Sequence, residues 1–370
     1  MPSVCEQVQL EYQDIKALKR EFDLEYEKAR ETGNLARVKE LRAVLQKKRE
    51  ALAEKLWIFE ALPAKELQVQ YERQREILEK NGILQKLGNG EKMGIRAIDG
   101  REYVFPALKD IRQGMMRNKE ILRTKTEQGF NQLLIVPFGM KLDDLIATYR
   151  KIILNHHKKG KLLATKEHPS DPDEPLTLDE TTPVWVWGEY PGADVSGELV
   201  YGPEKLPTIQ DEPDAAKRRA LSRGKTKRHI LEDQGGFTIL LLENLPNIPR
   251  SGRGKPVSGR KQPEAGQTPK KYLEMMQTDP HYTGEEGMTP EEQLIYAIEY
   301  LEATNQVMDD WHGNGSVSYQ IGAYFHASGY VPRAYWARDN RRARLDSDSP
   351  ERSGPCIGVR GAVRVKILKT

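Results

Sequence analysis

An irregular run of polar side chains lies near the end of the chain, between Tyr330 and Val365. Arg, Asp, Ser, Glu, Pro and Cys follow one another there in an order that forms neither an amphipathic helix nor an alternating strand. Residues suited to strand and core positions recur between them: Trp336, Leu345, Val359, Ala362, Val363 and Val365. Polar side chains on such a frame would recognise a ligand non-covalently, so the pattern predicts a display surface.

The residues that usually carry out catalysis are scattered along the chain. His156 and His157 are adjacent rather than four residues apart, which is typical of two surface imidazoles at a helix end. No HExxH, GxxxxGK[ST], GxSxG or GxGxxG pattern occurs. Asp309 and Asp310 beside His312 are the nearest approach to an acid/base cluster, and we interpret them as the end of a helix.

Metal and redox sites are not indicated either. Cys5 and Cys356 lie at opposite ends of the chain without a CxxC motif or a metal-spaced partner. The spacing of Asp339, Asp346 and Asp348 does not match a calcium loop. We therefore predict no catalytic residue, no metal site and no cofactor, and a protein that is not an enzyme.

Two basic stretches, residues 217–228 and 250–261, could contact phosphates. Neighbouring acids offset their charge and no aromatic residues are interleaved with them, so we interpret both as solvated loops and do not expect a nucleic-acid partner. Trp185 and Trp187 alternate with valines, a pattern more typical of a core strand than of a sugar-binding platform.

The composition indicates a soluble protein of two or three domains. The chain has 370 residues, and 58 Lys and Arg against 55 Asp and Glu leave a net charge of +3, so no global charge demands an acidic partner. No apolar run approaches the length of a membrane span, and the first residues do not form an apolar signal segment. We therefore expect no membrane partner and a cytoplasmic location.

Residues 1–90 are predicted to form a helical hairpin and a third helix. Apolar residues at three- and four-residue spacing mark the inner face of the first helix: Val8, Tyr12, Ile15, Leu18, Phe22, Tyr26 and Ala29. The second helix carries Val38, Leu41, Leu45, Leu52, Leu56 and Phe59. A break at Gly33-Asn34 favours an antiparallel pair, Pro63 suits the first turn of the third helix, and Asn81-Gly82 ends it. Self-association through these helices is a possible partner interaction.

Residues 91–230 are predicted to be a mixed α/β region with a loop-rich end. The predicted elements are a hairpin at 95–105 around Asp99-Gly100, a helix at 107–128, a strand at 133–136, a helix at 141–158, and strands at 184–187 and 198–201. Residues 231–370 form the third predicted region. It contains a buried strand at 237–242, helices that begin at Thr268-Pro269 and Thr289-Pro290 with Thr as N-cap, and a strand near 316–321.

The last segment resembles the variable region of proteins that are diversified by diversity-generating retroelements. The matching positions are Val331-Pro332-x-Ala334-Tyr335-Trp336-x-Arg338-Asp339-x-Arg341-x-Ala343, Asp348-x-Pro350-x-Arg352, and Ile357-Gly358-Val359-Arg360-x-Ala362-Val363-Arg364-Val365. Residues 245–250, 259–266, 288–292 and 321–325 are similar to the scaffold of a subgroup from candidate-phylum bacteria. The helical N-terminal half is also similar to that subgroup.

The resemblance implies a C-terminal C-type-lectin-like domain of the formylglycine-generating-enzyme type, over residues 231–370. It also implies a reverse transcriptase that scatters substitutions over a variable region at about 331–365. The implied variable positions are Arg333, Ala337, Asn340, Arg342, Arg344, Asp346, Ser347, Ser349, Glu351, Ser353, Gly354, Pro355 and Cys356. The implied scaffold positions, which we call the frame residues, are Trp336, Arg338, Arg341, Pro350, Gly358 and Arg360.

Two further expectations follow from the resemblance. The variable positions hold few aromatic residues, although binding hot spots are usually Trp, Tyr and Arg, so Arg333, Arg342 and Arg344 beside Asp346 and Glu351 should carry the surface. Scaffold side chains such as Arg360 and Arg364 should bond acids or carbonyls inside the domain.

The sequence thus predicts an α+β protein: a helical hairpin or coiled coil, a mixed α/β region and a C-type-lectin-like fold. Its predicted function is hypervariable display, the binding of an unknown macromolecular or surface ligand. Two alternatives remain open. The same fold could house an enzyme of the formylglycine-generating type, for which Cys356 alone is poor evidence. The coiled coil and basic loops could instead form an adaptor that binds nucleic acid, with a steep salt dependence.

Overall fold

The computed structural model describes residues 4–32, 35–61, 64–88, 90, 92–313 and 315–367. The helices are α1 (Val4–Thr32), α2 (Ala36–Ala61), α3 (Ala64–Lys80), α4 (Leu108–Arg117), α5 (Lys119–Glu127), α6 (Leu142–Lys158), α7 (Ala193–Ser196), α8 (Ala215–Ser222), α9 (Lys227–Gln234), α10 (Pro269–Thr278), a 3₁₀ helix (Pro280–Tyr282) and α11 (Pro290–Thr304).

The described strands begin at Gln85, after α3. They are β1 (Gln85–Leu87), β2 (Lys92–Arg96), β3 (Glu102–Val104), β4 (Phe130–Val136), β5 (Val184–Val186), β6 (Leu199–Tyr201), β7 (Thr238–Glu243), β8 (Pro256–Val257), β9 (Arg260–Lys261), β10 (Glu286–Gly287), β11 (Asp310–Trp311), β12 (Val317–Tyr319), β13 (Ala323–Phe325), β14 (Val331–Ala337), β15 (Arg342–Asp348), β16 (Ile357–Val359) and β17 (Gly361–Arg364). The protein is therefore mixed α and β, with its longest helices first.

The chain divides into two compact units, Met1–Leu67 and Gln68–Thr370. In the first unit α1 and α2 form the predicted antiparallel hairpin, because Arg37 pairs with Glu21 at 3.0 Å and Lys48 pairs with Asp14 at 3.3 Å. The break at Gly33-Asn34, Pro63 and the side chains of Val8, Leu56 and Phe59 lie outside the described residues.

The apolar stripe of α1 is narrower than the sequence predicts. Ile15 and Ala29 are buried, whereas Tyr12 and Tyr26 are 55% and 46% exposed. Self-association of the hairpin is not tested by these contacts and stays a prediction.

The second unit contains two main sheets. The first sheet has the antiparallel order β10-β17-β7-β4, and all six residues of β7 are buried. The β4 edge is covered by α3, where the side-chain amides of Gln70 and Gln74 bond the backbone of Asn131, Leu133 and Ile135. The amides satisfy edge groups that would otherwise be buried without partners.

The second sheet has the order β16-β12-β14-β15-β5, and β11 pairs with β14. The chain passes from this sheet to the first through one residue, Arg360, which lies between β16 and β17. Helix α11 packs against α6, β4 and β14, so it contacts both sheets. The predicted domain boundary at residue 230 lies between β4 and β7 in the chain. The structure pairs these two strands in the first sheet.

The predicted start of α11 is confirmed. Thr289 is the N-cap, its hydroxyl accepts a hydrogen bond from the backbone N–H of Glu292, and the Glu292 side chain bonds back to Thr289, with Pro290 in the first turn. Thr268 caps α10 in the same way through Lys271. These starts depend on neighbouring residues alone, which explains why the sequence showed them.

Several other predictions were wrong. The helix predicted at 107–128 is two helices that meet at Asn118. Residues 217–228 are not a solvated loop but belong mainly to α8 and α9, with Arg218 and Lys227 buried. In the second basic stretch, Arg260 is fully buried and pairs with Glu285 at 2.7 Å and Glu243 at 3.0 Å.

Within the described part of the chain, no helix has the length and apolar character needed to cross a membrane.

Two carboxyl groups on α11 have opposite electrostatic surroundings. Glu299 is buried and, among the described residues, neither of its carboxyl oxygens has a hydrogen-bond partner. Burial raises the pKa of Glu299 well above its usual value, although the charge of Arg73 opposes this. Burial also acts on Glu302, but hydrogen bonds from Lys80 and Asn81 outweigh it and lower the pKa of Glu302.

We expect Glu299→Gln to raise the free energy of unfolding at pH 8 by on the order of 1 kcal/mol. The Glu299 carboxyl has a higher pKa in the folded protein than in the unfolded chain. Its ionisation therefore does not destabilise the fold at pH values below the unfolded-state pKa of about 4.3, and the destabilisation grows as the pH rises. Urea unfolding at pH 4 and pH 8 measures the difference.

Glu302→Gln is the matched control, and its expected effect has the opposite sign. Because the folded-state pKa of Glu302 is lowered, its carboxylate stabilises the protein at pH values above the unfolded-state pKa. The free energy of unfolding of this variant should therefore be lower by about 1 kcal/mol at pH 8. That loss should shrink as the pH falls through the folded-state pKa of Glu302. A Glu299→Gln protein less stable than the native one at pH 8 would contradict the assignment.

Candidate ligand-binding surface

The antiparallel pair β14–β15 carries most of the predicted variable positions. Directly paired residues lie on the same face of a sheet, and successive residues of a strand point to opposite faces. One face therefore carries the pairs Arg333 with Asp346, Tyr335 with Arg344, and Ala337 with Arg342. We call it the arginine face.

The opposite face of the same two strands faces the protein interior. Trp336, Ala343 and Leu345 on this face are 1%, 4% and 3% exposed, and β14 contacts α11. The pleat thus separates frame residues such as Trp336 from Arg333 and Arg344, although they alternate in sequence.

The structure places ten of the thirteen predicted variable positions in two exposed or half-buried groups. The first group, on or beside β14–β15, contains Arg333, Asn340, Arg342 and Arg344. The second, between β15 and β16, contains Ser349, Glu351, Ser353, Gly354, Pro355 and Cys356.

The remaining three variable positions are buried. Asp346 lies on the arginine face and is 8% exposed. Ala337 is on the same face but fully buried in an apolar cluster that includes Tyr335 and Val359. Ser347, also 8% exposed, lies on the opposite face. In this conformation the side chains of Ala337 and Ser347 do not contribute to the ligand surface of the arginine face.

The segment 349–356 borders the arginine face. Arg352 pairs with Asp348 at 3.2 Å, and its carbonyl accepts a hydrogen bond from the Tyr319 hydroxyl at 3.2 Å. Glu351 accepts a hydrogen bond from Lys270 of α10 at 2.8 Å. At the end of the segment the Trp311 indole donates to the Cys356 Sγ at 3.4 Å. These contacts hold an irregular segment against strands and α10.

Ion pairs balance most of the charge on the arginine face. Arg333 bonds Asp346 at 3.0 Å and Asp348 at 2.5 Å, and Arg342 bonds Asp179 at 3.3 Å. Arg344 approaches Asp346 only to 3.4 Å. Among the described residues, the Nε atoms of all three arginines have no hydrogen-bond partner. These Nε atoms are buried, so they are not donors for a ligand in this arrangement.

Aromatic side chains line the arginine face at positions the sequence interpretation did not select. Trp185 of β5 lies opposite Arg344, with the guanidinium carbon 4.2 Å from its ring centroid. Tyr335 lies on the other side of Arg344 at 5.8 Å, and Trp311 contacts Tyr335 edge-on at 5.4 Å. The alternation of Trp185 and Trp187 with valines was the available signal, but it does not reveal the partner strand.

Two frame arginines form ion pairs with Asp309 and Asp310. Arg360 is buried and donates to both carboxylate oxygens of Asp309 at 3.0 and 3.1 Å, as well as to the carbonyl of Leu245. Arg338 donates to Asp310 at 2.8 and 2.7 Å. The interpretation of these aspartates as a helix end was wrong, since α11 ends at Thr304 and both aspartates are fully buried.

The other frame residues hold the backbone. Gly358 is buried with the backbone of Ala265 close by, Pro350 is buried, and Arg341 has a positive φ of 54° in the exposed turn between β14 and β15. Arg364, the last residue of β17, bonds Glu286 and Glu292 at 2.5 Å each. Such contacts with acids are of the kind expected for scaffold arginines.

The histidines do not converge on a site. Among the described residues, no group of three or more His, Cys, Asp or Glu is placed to hold a metal ion. His156 is not a surface residue as predicted but is buried 3.5 Å from Glu302, and His312 pairs with Asp339 at 2.6 Å.

Comparison of the chain with protein-family models, with curated proteins and with solved structures found no match. The geometry of the arginine face and the segment 349–356 is therefore the basis for a functional proposal.

Asp309→Asn should lower the free energy of unfolding by about 3 kcal/mol, because it leaves the buried Arg360 charge without its partner. Asn tolerates the left-handed backbone of Asp309, whose φ is 48°, so the change isolates the charge. Asp339→Asn is the control, since this exposed aspartate should contribute less than about 1 kcal/mol. Equal unfolding midpoints for the two variants in urea would contradict the structural role of the pair.

Gly358→Ala should destabilise the fold by about 1–3 kcal/mol, because the new Cβ would lie 3.1 Å from the Cα of Ala265 and 3.2 Å from its N atom. Gly354→Ala is the matched control at a variable position. Its nearest atoms are side-chain carbons of Ile357 at 3.2 Å, which can shift, so the loss should be smaller. Thermal unfolding of both variants measures the difference, and a larger loss for Gly354→Ala would be inconsistent with the frame assignment.

Proposed function

We propose that the chain is a ligand-binding display protein with a C-type-lectin-like domain. Its binding surface consists of the arginine face and the segment 349–356, and a diversity-generating retroelement changes the residues there. One observation carries the proposal: ten of the thirteen variable positions are exposed or half-buried, on or beside β14–β15 and in the segment 349–356, while every frame residue except Arg341 is buried or pairs with a buried aspartate.

This separation has a functional consequence. A substitution at Arg342 or Glu351 removes mainly solvent-accessible contacts, which usually changes stability by less than about 0.5 kcal/mol. A substitution at Trp336 or Arg360 removes core packing or a buried ion pair. A surface built in this way can change its ligand without loss of the fold.

The segment 349–356 supports the lectin-like part of the proposal. Such a fold is expected to hold irregular loops on a sheet, and this segment connects β15 to β16, two strands of the same sheet. The fixed aromatic residues Trp185, Tyr335 and Trp311 add the side-chain types that dominate binding hot spots. They compensate for the scarcity of aromatic residues at the variable positions.

Two cations of the first basic stretch are not available to the adaptor alternative. Arg218 donates to the carbonyls of Glu212 and His326, at 2.6 and 3.0 Å, and Lys227 pairs with Asp194 and Glu291 at 2.7 and 2.9 Å. Cations engaged in this way inside the protein do not contact phosphates.

Sequencing the gene from many cells of one source population tests the proposal. We expect substitutions to concentrate at the variable codons between 333 and 356, with fewer at Ala337 and Ser347 because their side chains are buried away from the binding surface. The codons for Trp336, Gly358 and Arg360 should stay constant and serve as the internal control. Variation spread evenly along the gene would overturn the diversification proposal.

A further inference from the structure

Three side chains form a row across neighbouring strands of the second sheet. Trp185 of β5, Arg344 of β15 and Tyr335 of β14 lie in direct register, so all three project from the arginine face. The guanidinium carbon of Arg344 is 4.2 Å from the Trp185 ring centroid and 5.8 Å from the Tyr335 ring centroid. Both distances are within the range of a cation–π interaction. We call Trp185 and Tyr335 the aromatic clamp.

Arg344 is held more by these rings than by hydrogen bonds. Its guanidinium approaches Asp346 at 3.4 Å and the side-chain oxygen of Asn340 at 3.5 Å, both at the limit of hydrogen bonding. Its Nε has no partner among the described residues. Arg333 on the neighbouring strand differs, since it bonds two carboxylates at 2.5 and 3.0 Å.

The clamp and its occupant belong to different classes of position. Tyr335 matches the regular frame of the C-terminal segment, and Trp185 lies in β5, far upstream of the variable region. Arg344 is one of the variable positions. Substitution at 344 would therefore change the occupant and leave both rings in place.

A short side chain at 344 cannot reach between the rings. With Ala or Asn there, the ring faces would be open to a ligand. The Asp346 carboxylate would lose its contact with Arg344 and keep those with Arg333 at 3.0 Å and the Tyr335 hydroxyl at 3.4 Å. The opened space would have the shape and charge that now suit a guanidinium: two aromatic faces and a nearby carboxylate.

We propose that the aromatic clamp is a binding subsite for a ligand guanidinium group, an arginine side chain on a protein ligand, and that Arg344 occupies it from within this chain. Large basic residues at 344 close the subsite and small residues open it. The inference rests on the proposed function, because it treats 344 as a position whose residue changes.

The test uses the full chain with Arg344→Ala and the probe N-acetyl-arginine amide. N-acetyl-citrulline amide is the matched probe, since its urea group has nearly the same shape as a guanidinium but no charge. The chain has five Trp residues, so binding is followed through their indole N–H signals in NMR spectra, and Trp185→Leu identifies the signal of Trp185.

We expect Arg344→Ala to bind the arginine probe about tenfold more tightly than the native protein does, and about tenfold more tightly than it binds the citrulline probe. The Trp185 indole signal should shift with the probe. Arg342→Ala is the control variant, because Arg342 lies on the same strand face and pairs with Asp179, and its loss leaves the clamp filled. Adding Trp185→Leu to Arg344→Ala should remove the gain.

Folding of each variant is verified by thermal unfolding, and Arg344→Asn replaces Arg344→Ala if the latter does not fold. The proposal is overturned if the folded variant binds the arginine probe no better than the native protein. Equal binding of both probes, an unchanged affinity after Trp185→Leu, or tighter binding of choline than of the arginine probe would also overturn it. Sequencing the gene tests diversification independently of the clamp, so the two proposals can fail separately.

Discussion

A buried ion pair joins the two sheets at the point where the chain crosses from one to the other. Arg360 lies between β16 and β17, and Asp309, which precedes β11, accepts two hydrogen bonds from it while Gln293 of α11 donates a third. Neither charge can remain buried without its partner, because desolvation would cost several kcal/mol. The pair therefore fixes α11, the second sheet and the final strand relative to one another, and the arginine face depends on that arrangement.

Buried cations recur throughout the second unit. Lys125, Lys227 and Arg260 are each at most 2% exposed, and each bonds at least one buried glutamate. In a sequence, a lysine or arginine among other polar residues indicates solvent, and this is why residues 217–228 and 250–261 were interpreted as solvated loops. Their burial depends on glutamates far away in the chain, such as Glu285 for Arg260, and local patterns do not reveal such partners.

The arginine face combines changeable and constant contributions. Arg333, Arg342 and Arg344 supply charged groups that are half-buried, while Trp185, Tyr335 and Trp311 supply aromatic surface. Alternation along two antiparallel strands keeps these groups apart from the core side chains Trp336 and Leu345. Rigid aromatic groups contribute binding energy at a low entropic cost, so a changing set of polar neighbours can adjust specificity around them.

The sequence by itself determined the features that depend on neighbouring residues. These are the hairpin helices, the turn at Asp99-Gly100, the caps at Thr268 and Thr289, and the irregularity of the segment from 333 to 356. The tertiary structure decided which of the irregular residues share a face, and that Ala337 is buried on that face while Ser347 lies on the opposite one. It also decided that Asp309 and Asp310 neutralise arginines and that Trp185 lies beside Arg344. The physical reason is strand pairing: register between segments distant in the chain sets these contacts, and no local pattern encodes it.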